Sequence, residues 1–534
     1  MSLFSLAFFA FLLILFLVYF SFPQKYKNYQ WVVLLGASYI FYAFAGIKLL
    51  VFLLVSTIST WVGALWIENI AKKYQLILKE KKWLPEEKKE IKQQATHKKR
   101  QVLALILVLN FGILTVVKYT NFFIENINNI LLSDSGRQIQ MVDFLLPLGI
   151  SFYTFQSMGY LIDVYRGKYK ADRNIFQFAL FVSYFPQIIQ GPISRYNDLA
   201  KQLYATHRFD YQRVKYGLQR MLWGYLKKMV IADRIAVLSN EVFANYEING
   251  YKGFIVFIGV FLYGIQIYAD FSGGMDIICG VSQCLGIDLV ENFRRPFMAR
   301  SIAEYWQRWH ITLGSWMRDY LFYPLALSKR FGKMAKGLRK VCGNYVAKVL
   351  PTCLASFIVF VIVGIWHGAA WKYVAYGIYQ ATFVSTATLL EPFYTKCRTV
   401  FRINTECYSW KLFQIARTIL LVTIGRYMSR GDSLLSALRM MKATVSQFDP
   451  WVLFDGSLYE LGLDEKNFHF MILSIIFLFV IDYIQERGVC IRDKIANMDI
   501  VMRWTIYFLG IFTIIIFGMY GLGYDANNFI YQGF

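Results

Sequence analysis

Long apolar runs alternate with short polar segments along the whole chain. A membrane-spanning helix needs about 20 apolar residues, and by that measure the sequence predicts about eleven crossings. Two other apolar segments, 174–193 and 216–243, contain prolines or charges and are predicted to be re-entrant or interfacial. The expected fold is an all-α integral membrane protein, a polytopic bundle of transmembrane helices forming one domain over residues 1–534. The predicted spans are 2–22, 29–46, 48–67, 102–120, 143–163, 254–275, 349–370, 371–390, 410–427, 468–485 and 504–523.

Composition supports a membrane protein. Apolar residues make up 57% of the chain and charged residues 17%, against about 25% charged in an average globular protein. These values exclude a disordered chain, a disulfide scaffold and a soluble enzyme with one anchor. The seven cysteines are scattered without a C-x-x-C motif, so they indicate neither disulfides nor a metal site.

The net charge of +23 has two interpretations, a nucleic-acid surface or the positive-inside pattern of a membrane protein. Most basic residues lie between apolar runs, which favours the second, and no nucleic-acid partner is expected. Segment 72–100 is the most basic, with eleven Lys or Arg against four Glu. It predicts a cytoplasmic basic loop at 68–101 in the cell membrane (plasma or inner), with both termini outside.

The most informative polar residue is His367, which ends an apolar run that begins near Val349. An ionisable group inside a span is costly and usually marks function. A continuous helix would place it about 28 Å beyond Lys348, in the outer half of the bilayer. The structural alternative is a hydrogen-bonded histidine beside a G-x-x-x-G packing motif formed by Gly364 and Gly368.

His310 borders an aromatic stripe that predicts one amphipathic helix over 302–320. Aromatic and basic residues at this place favour the inner membrane interface over nucleic-acid binding. A partly buried interfacial histidine is the simpler interpretation of His310 alone. The basic surface would nevertheless attract an anionic donor such as a pantetheine thioester or an acidic carrier protein.

A third polar segment, 268–276, interrupts the apolar stretch from Phe254 to Ile287. Its adjacent glycines and two carboxylates predict a broken helix beside a cavity. A structural role is the other possibility, with Asp270 bonded to backbone amides or to an arginine. Dinucleotide, P-loop, zinc-protease and serine-elbow motifs are absent from the sequence, so none of those chemistries is indicated.

A resemblance to a known family rests on ordered motifs within 146–376. With them the chain resembles the membrane-bound O-acyltransferase superfamily, in the bacterial branch of alginate O-acetylation, near the teichoic-acid D-alanyl transfer proteins. Weaker similarity extends to FIY at 529–531. The motifs are LPLGISF at 146–152, FQSM at 155–158, DVYRG at 163–167, FPQ at 185–187, GPI at 191–193, DFSG at 270–273, ENF at 291–293, WQRWHITL at 306–313, RDYL at 318–321 and WHG at 366–368.

The resemblance implies that His367 is the catalytic histidine and His310 a second, supporting one. Gln190 and the segment 326–329 depart from the alginate-type pattern, so alginate itself is not assigned as the acceptor. The motif residues expected to bind substrate are Trp306, Gln307, Trp309, Arg318, Asp319, Asp270, Ser272 and Trp366.

The polar residues and the family resemblance together predict acyl transfer as the mechanism. A thioester, acetyl-CoA or another pantetheine thioester, approaches from the cytoplasm over 294–340, and His367 takes the proton of a hydroxyl acceptor arriving from outside. No tightly bound cofactor and no metal are expected. The expected partners are the lipid bilayer and an exported polysaccharide acyltransferase or an acyl carrier protein. A D-alanyl transfer protein, a lipid or protein acyltransferase and a membrane transporter stay open as alternatives.

Overall fold

The computed structural model describes residues 2–131, 138–251 and 253–520, and this described part is predominantly helical, without a β-strand. The all-α prediction is therefore confirmed. The FIY motif at 529–531 and the end of the last predicted span lie outside the described residues. Backbone contacts group the chain into two compact units, and the single domain over 1–534 stays a prediction.

The first unit comprises Met1–Leu218 and Ile278–Val290. Its two longest helices, α3 and α4, form a hairpin. The helices that begin within it are α1 Leu6–Phe20, α2 Gln30–Ala43, α3 Leu50–Glu80, α4 Pro85–Leu131, α5 Ile150–Tyr165, α6 Ile175–Ser183, α7 Phe185–Gln190, α8 Tyr196–Tyr204 and α9 Tyr211–Tyr225.

The basic segment 68–101 is helical except for the short link at 81–84, and its assignment as a cytoplasmic loop stays a prediction. α3 continues to Glu80 and α4 starts at Pro85, because proline is well tolerated in the first turn of a helix. Exposed lysines and arginines extend both helices beyond their apolar portions, and Lys72 pairs with Glu68 one turn earlier at 2.7 Å. The cytoplasmic location of this segment stays a prediction.

The second unit comprises Gln219–Ile277 and Glu291–Phe534 and holds every histidine of interest. Two π-helical stretches, Leu226–Ala232 and Arg318–Phe322, interrupt its α-helices. The helices that begin within it are α10 Asp233–Asn249, α11 Gly253–Cys284, α12 Ile302–Arg308, α13 Ile311–Met317, α14 Tyr323–Ala326, α15 Lys329–His367, α16 Trp371–Leu389, α17 Glu391–Val400, α18 Tyr408–Arg430, α19 Leu434–Ser446, α20 Glu465–Glu486, α21 Ile491–Ala496 and α22 Ile500–Phe517.

The protein is a multi-pass membrane protein, but the predicted number of eleven spans is not confirmed. Among the described residues, 6 helices are long and apolar enough to cross a bilayer, or 7 with one pair bent by 119°. The predicted span 143–163 is shorter than expected, since α5 begins only at Ile150, after Gly149 in a left-handed conformation. A side chain at Gly149 would collide with the carbonyl of Ile188.

Neither predicted re-entrant segment forms a plain span. Segment 174–193 folds into α6 and α7, of 9 and 6 residues, which are too short to cross. Segment 216–243 runs from α9 through the π-helical stretch Leu226–Ala232 into α10. A π-helix inside an α-helix frequently occurs at a functional site.

Candidate active site

His367 is the last residue of α15 and is buried. The helix packs closely against α16, because a side chain at Gly364 would collide with the Tyr373 carbonyl oxygen and one at Gly368 with the Tyr373 ring. This contact places the His367 ring 6.2 Å from the ring of Tyr376 on α16. The glycine motif therefore has the packing role of the structural alternative, and it also positions His367.

His310 lies between two short helices rather than on one long helix. The amphipathic helix predicted over 302–320 breaks into α12 and α13, and His310 adopts a left-handed conformation with φ of 46° between them. The prediction of one helix is wrong because the backbone here pairs with a distant segment. The Ile311 amide donates to the Asn292 carbonyl at 3.0 Å, and the Arg294 amide to that of Arg308 at 2.9 Å.

The side chain of Asn292 fixes the tautomer of His310. Its Oδ1 accepts hydrogen bonds from the Thr312 amide at 3.0 Å and the Thr312 hydroxyl at 2.9 Å. An atom that accepts from a backbone amide is an oxygen, so His310 Nδ1, 3.2 Å away, must donate its proton to it. In the neutral ring, Nε2 then carries the lone pair.

Burial is the main cause that lowers the pKa of His310 from 6.5 to about 3, and the positive charge of His367 in its protonated form acts in the same direction. The ring is 2% exposed and packs edge-on against Phe271, with the centroids 5.0 Å apart. His310 is therefore neutral at physiological pH.

Trp366 lies between the two histidines. Its ring centroid is 6.0 Å from that of His310 and 5.0 Å from that of His367. The structure thus brings together three residues that the sequence singled out, although they come from α15 and from the break between α12 and α13.

His367 lines a cavity with mostly aromatic walls. Trp306 and Trp309, both predicted to bind substrate, form part of the lining, and Trp306 Nε1 donates to Gln380 at 3.2 Å. The lining residues are Tyr263, Ile267, Tyr305, Trp306, Trp309, His367, Tyr373, Tyr376, Arg426 and Ser429. The lining is apolar with a few polar groups, as in ligand sites, but the space is small and fits only a reacting group rather than a whole substrate.

Six predicted substrate-binding residues do not line this cavity, namely Gln307, Arg318, Asp319, Asp270, Ser272 and Trp366. Gln307 is exposed on α12, and Arg318 is exposed at the end of α13, where it pairs with Asp319 at 3.1 Å. Their assignment as substrate ligands stays a prediction.

Asp270 belongs to a group of buried and partly buried charges that we call the ion cluster, defined as Lys227, Lys228, Asp233, Asp270 and Asp276, and Ser272 contacts this group. Lys228 Nζ lies 2.7 Å from Asp270 and 2.8 Å from Asp233. Lys227 Nζ donates to Ser272 at 2.9 Å and lies 2.5 Å from Asp276. Although burial lowers the pKa of Lys228, Asp270 and Asp233 raise it above its ordinary value, so this lysine is charged.

The helix predicted to be broken at 268–276 is continuous within α11, so that prediction is wrong. The polar residues are compatible with an unbroken helix because lysines neutralise the carboxylates. Gly273 is needed for a different reason, since a side chain there would approach the Gly224 carbonyl oxygen to 2.9 Å. Asp270 therefore forms the kind of ion pair that the structural alternative describes, with lysine in place of arginine as its partner, and its assignment as a substrate ligand stays a prediction.

Sequence reasoning missed Arg426, a buried cation on α18 that lines the same cavity as His367. The signal was present, because this arginine lies inside the predicted span 410–427, where a charge is costly.

Comparison with known proteins gives a consistent set of similarities. A profile of the MBOAT, membrane-bound O-acyltransferase family matches residues 169–424. A probable alginate O-acetylase AlgI of Pseudomonas syringae pv. tomato is 33% identical over 90% of this chain and 82% of its own. A peptidoglycan O-acetyltransferase of Helicobacter pylori is 31% identical over 69% of this chain and 67% of its own. A teichoic acid D-alanyltransferase of Bacillus subtilis is 29% identical over 46% of this chain and 59% of its own.

Proposed function

The chain belongs to the membrane-bound O-acyltransferase family, and on this premise we propose that it carries an acyl group, acetyl in the first instance, across the membrane. The donor is a cytoplasmic thioester, and the acceptor is a hydroxyl of an extracellular polysaccharide or of its carrier protein. Two of the relatives described above are named for O-acetylation, which favours acetyl as the group. The chain is an O-acyltransferase, so the transporter alternative is rejected.

The observation that carries the mechanism is the cavity into which His367 faces. Its walls are mostly aromatic, and its lining includes one imidazole and one guanidinium. A base that serves a hydroxyl acceptor must lie within hydrogen-bond reach of that hydroxyl, and a cavity beside the ring provides the space.

The proposed step is a balanced acyl transfer. His367 takes the proton of the acceptor hydroxyl as its oxygen attacks the thioester carbonyl carbon. The new C–O bond forms, the C–S bond breaks, and the proton passes from His367 to the departing thiolate. The products are an ester and a thiol, and the histidine returns to its starting state.

His310 acts as a positioning residue in this scheme. Its Nδ1 proton is committed to Asn292, and its ring is neutral and packed against Phe271 and Trp366. It fixes Trp366 beside His367. Trp306 and Trp309 form walls of the cavity from α12 and the break that follows it.

The donor and the partners follow from the proposed chemistry. Acetyl-CoA or another pantetheine thioester would supply the acyl group, and no tightly bound cofactor takes part in the step. An exported polysaccharide acyltransferase or an acyl carrier protein is the proposed protein partner. The membrane is proposed to be the plasma or inner membrane, with both termini outside.

The test is replacement of the base. His367→Ala should lower acyl transfer about 10² to 10⁴-fold, as loss of a general base does. Ester-linked acetate on surface polysaccharide would be measured in cells that express each variant at matched levels. His469→Ala, an exposed histidine on α20, is the matched control and should keep full transfer. A normally expressed, fully active His367→Ala protein would refute the assignment.

D-alanyl transfer is the second candidate, because the teichoic acid D-alanyltransferase of Bacillus subtilis is among the relatives. Labelling cells with radioactive acetate or D-alanine separates the two. Label from acetate alone in the surface polymer supports O-acetylation, and label from D-alanine alone supports the second candidate.

A further inference from the structure

The first part of α15, residues 329–342, is a basic amphipathic helix that we call the surface helix. It contains six Lys or Arg and no acidic residue, and all six cations are exposed. Its apolar residues recur at steps of three and four, so they share one side of the helix and the cations lie on the other. The apolar residues are Phe331, Met334, Ala335, Leu338 and Val341, and the cations are Lys329, Arg330, Lys333, Lys336, Arg339 and Lys340.

The protein covers the apolar side of the surface helix only in part. α15 contacts α14 and the π-helical stretch Arg318–Phe322, and four of the apolar side chains are half-buried. The fifth, Val341, is 84% exposed, and Leu327, just before the helix, is 81% exposed. The surface helix thus combines exposed cations with exposed apolar side chains at both of its ends.

A bend places the surface helix at the boundary of the membrane. Gly343 has a φ of 78° and a ψ of 174°, values that are not helical, so α15 changes direction there. Lys348, five residues later, is the last Lys or Arg before the apolar run that ends at His367. Five helical residues measure about 8 Å. The surface helix therefore begins close to the end of a membrane span and does not continue along its axis.

The basic segment of the α3 and α4 hairpin differs in both respects. Its cations lie on helices that continue from the apolar portions, and they therefore lead away from the membrane. Four Glu lie among its eleven Lys or Arg, whereas the surface helix has no acidic residue. The hairpin is therefore the natural control for an effect of charge alone.

These features match an anionic membrane surface. An amphipathic helix lies in the interface with its apolar side toward the acyl chains, and its Lys and Arg attract anionic head groups. An acidic soluble protein would pair with the cations alone and would leave Leu327 and Val341 in water. A lipid surface satisfies both sides of the helix at once.

We propose that the surface helix lies in the membrane interface and binds the phosphate groups of anionic lipids. The proposal goes beyond the proposed function, because lipid binding requires no acyl transfer. The π-helical stretch Arg318–Phe322, which α15 contacts, directly follows α13, and α13 begins next to His310. Lipid bound at the surface helix therefore also stabilises the elements that follow His310.

The test is a lipid titration of the full-length protein in a neutral detergent, with the thermal unfolding midpoint as the readout of binding. Phosphatidylglycerol is the anionic probe, and phosphatidylcholine is the neutral comparison. Phosphatidylglycerol should raise the midpoint of the wild-type protein more than phosphatidylcholine does. The combined substitutions Lys333→Gln, Lys336→Gln and Lys340→Gln should lower the apparent affinity for phosphatidylglycerol about 100-fold, or about 5-fold for each lysine. They should leave the response to phosphatidylcholine unchanged.

The matched control carries Lys88→Gln, Lys89→Gln and Lys92→Gln, which remove three exposed lysines from α4. This variant should keep the wild-type affinity for phosphatidylglycerol. Equal losses in the two triple variants would mean that only net charge matters, and an unchanged affinity in the surface-helix variant would mean that this helix binds no lipid. Either result overturns the proposal.

Ionic strength tests the wild-type protein without any substitution. Raising NaCl from about 0.05 to about 0.5 M shortens the range of electrostatic attraction and should weaken the response to phosphatidylglycerol. A response that does not depend on salt would contradict binding through the lysines.

Soluble anions are the other possible occupants, and three probes identify them. Inorganic phosphate and acetyl-CoA supply phosphate without a membrane, and a purified acyl carrier protein supplies an acidic protein surface. We expect the surface-helix substitutions to leave the response to each of these probes unchanged. If one of them binds through the three lysines while phosphatidylglycerol has no effect on the midpoint, the surface helix serves a soluble partner and the proposal is overturned.

Discussion

The ion cluster and the His367 cavity both contain buried positive charge, and they balance it in opposite ways. In the ion cluster, Lys228 contacts two carboxylates and Lys227 contacts one. In the cavity, Arg426 has one long hydrogen bond to a phenol and an Nη1 that meets no acceptor among the described residues. In the ion cluster the cost of burying each lysine is offset by a carboxylate, whereas the cost of burying Arg426 is offset only by aromatic and phenolic contacts.

The first prediction removes one partner of a charge pair in the ion cluster. Asp270→Leu removes a carboxylate from Lys228 and should lower the free energy of unfolding by about 3 kcal/mol, because one ion of a buried pair loses its partner. Denaturant unfolding in mixed micelles would measure the change. Arg439→Gln, which removes an exposed pair with Glu247, is the control and should cost less than about 0.5 kcal/mol. Equal effects of the two substitutions would remove the distinction between the regions.

The second prediction concerns pH and His310. Its pKa is about 3 in the folded protein against 6.5 for a solvated histidine, so between these values the unfolded chain binds a proton that the folded chain does not. Stability should fall as pH decreases below 6.5, by about 2 kcal/mol at pH 5. The His310→Gln protein should not show this part of the loss of stability between pH 7 and pH 5. Unfolding curves at pH 7 and pH 5 would measure it, and parallel losses in both proteins would contradict the assignment.

The third prediction concerns the position of Arg426 in the His367 cavity. Gly264→Ala should displace the Arg426 guanidinium and lower acyl transfer about 10-fold, since small misplacements near a reacting group are costly. The matched control is Gly112→Ala on α4, where an added methyl group meets no neighbour within 4 Å. Initial rates of ester formation would be compared at equal protein levels. If Gly264→Ala retains the full rate, the contact with Gly264 does not position the guanidinium for the reaction.

Much of this architecture could be predicted from the sequence, because long apolar runs identify membrane helices. The run that ends at His367 corresponds to the last part of α15, and the glycines beside it have the expected close contact. Local reasoning failed where a distant segment decides the conformation. The turn at His310 depends on Asn292, and the continuous α11 depends on lysines from Leu226–Ala232.

Arg426 shows the same limit at the candidate site. Its cost inside an apolar run is visible in the sequence, but its place beside His367 is not. That place depends on how α18 packs in three dimensions, and on a glycine that leaves room for the guanidinium on α11. A single sequence does not specify which helices meet.

The hairpin of α3 and α4 has a practical consequence for imaging. A helix of 47 residues measures about 70 Å, more than twice the roughly 30 Å of a hydrocarbon core. Its basic portion and the matching end of α3 must therefore extend well past a detergent belt as a stiff paired rod. A fusion domain spliced into the short link at 81–84 would give electron microscopists a rigid marker for aligning particles.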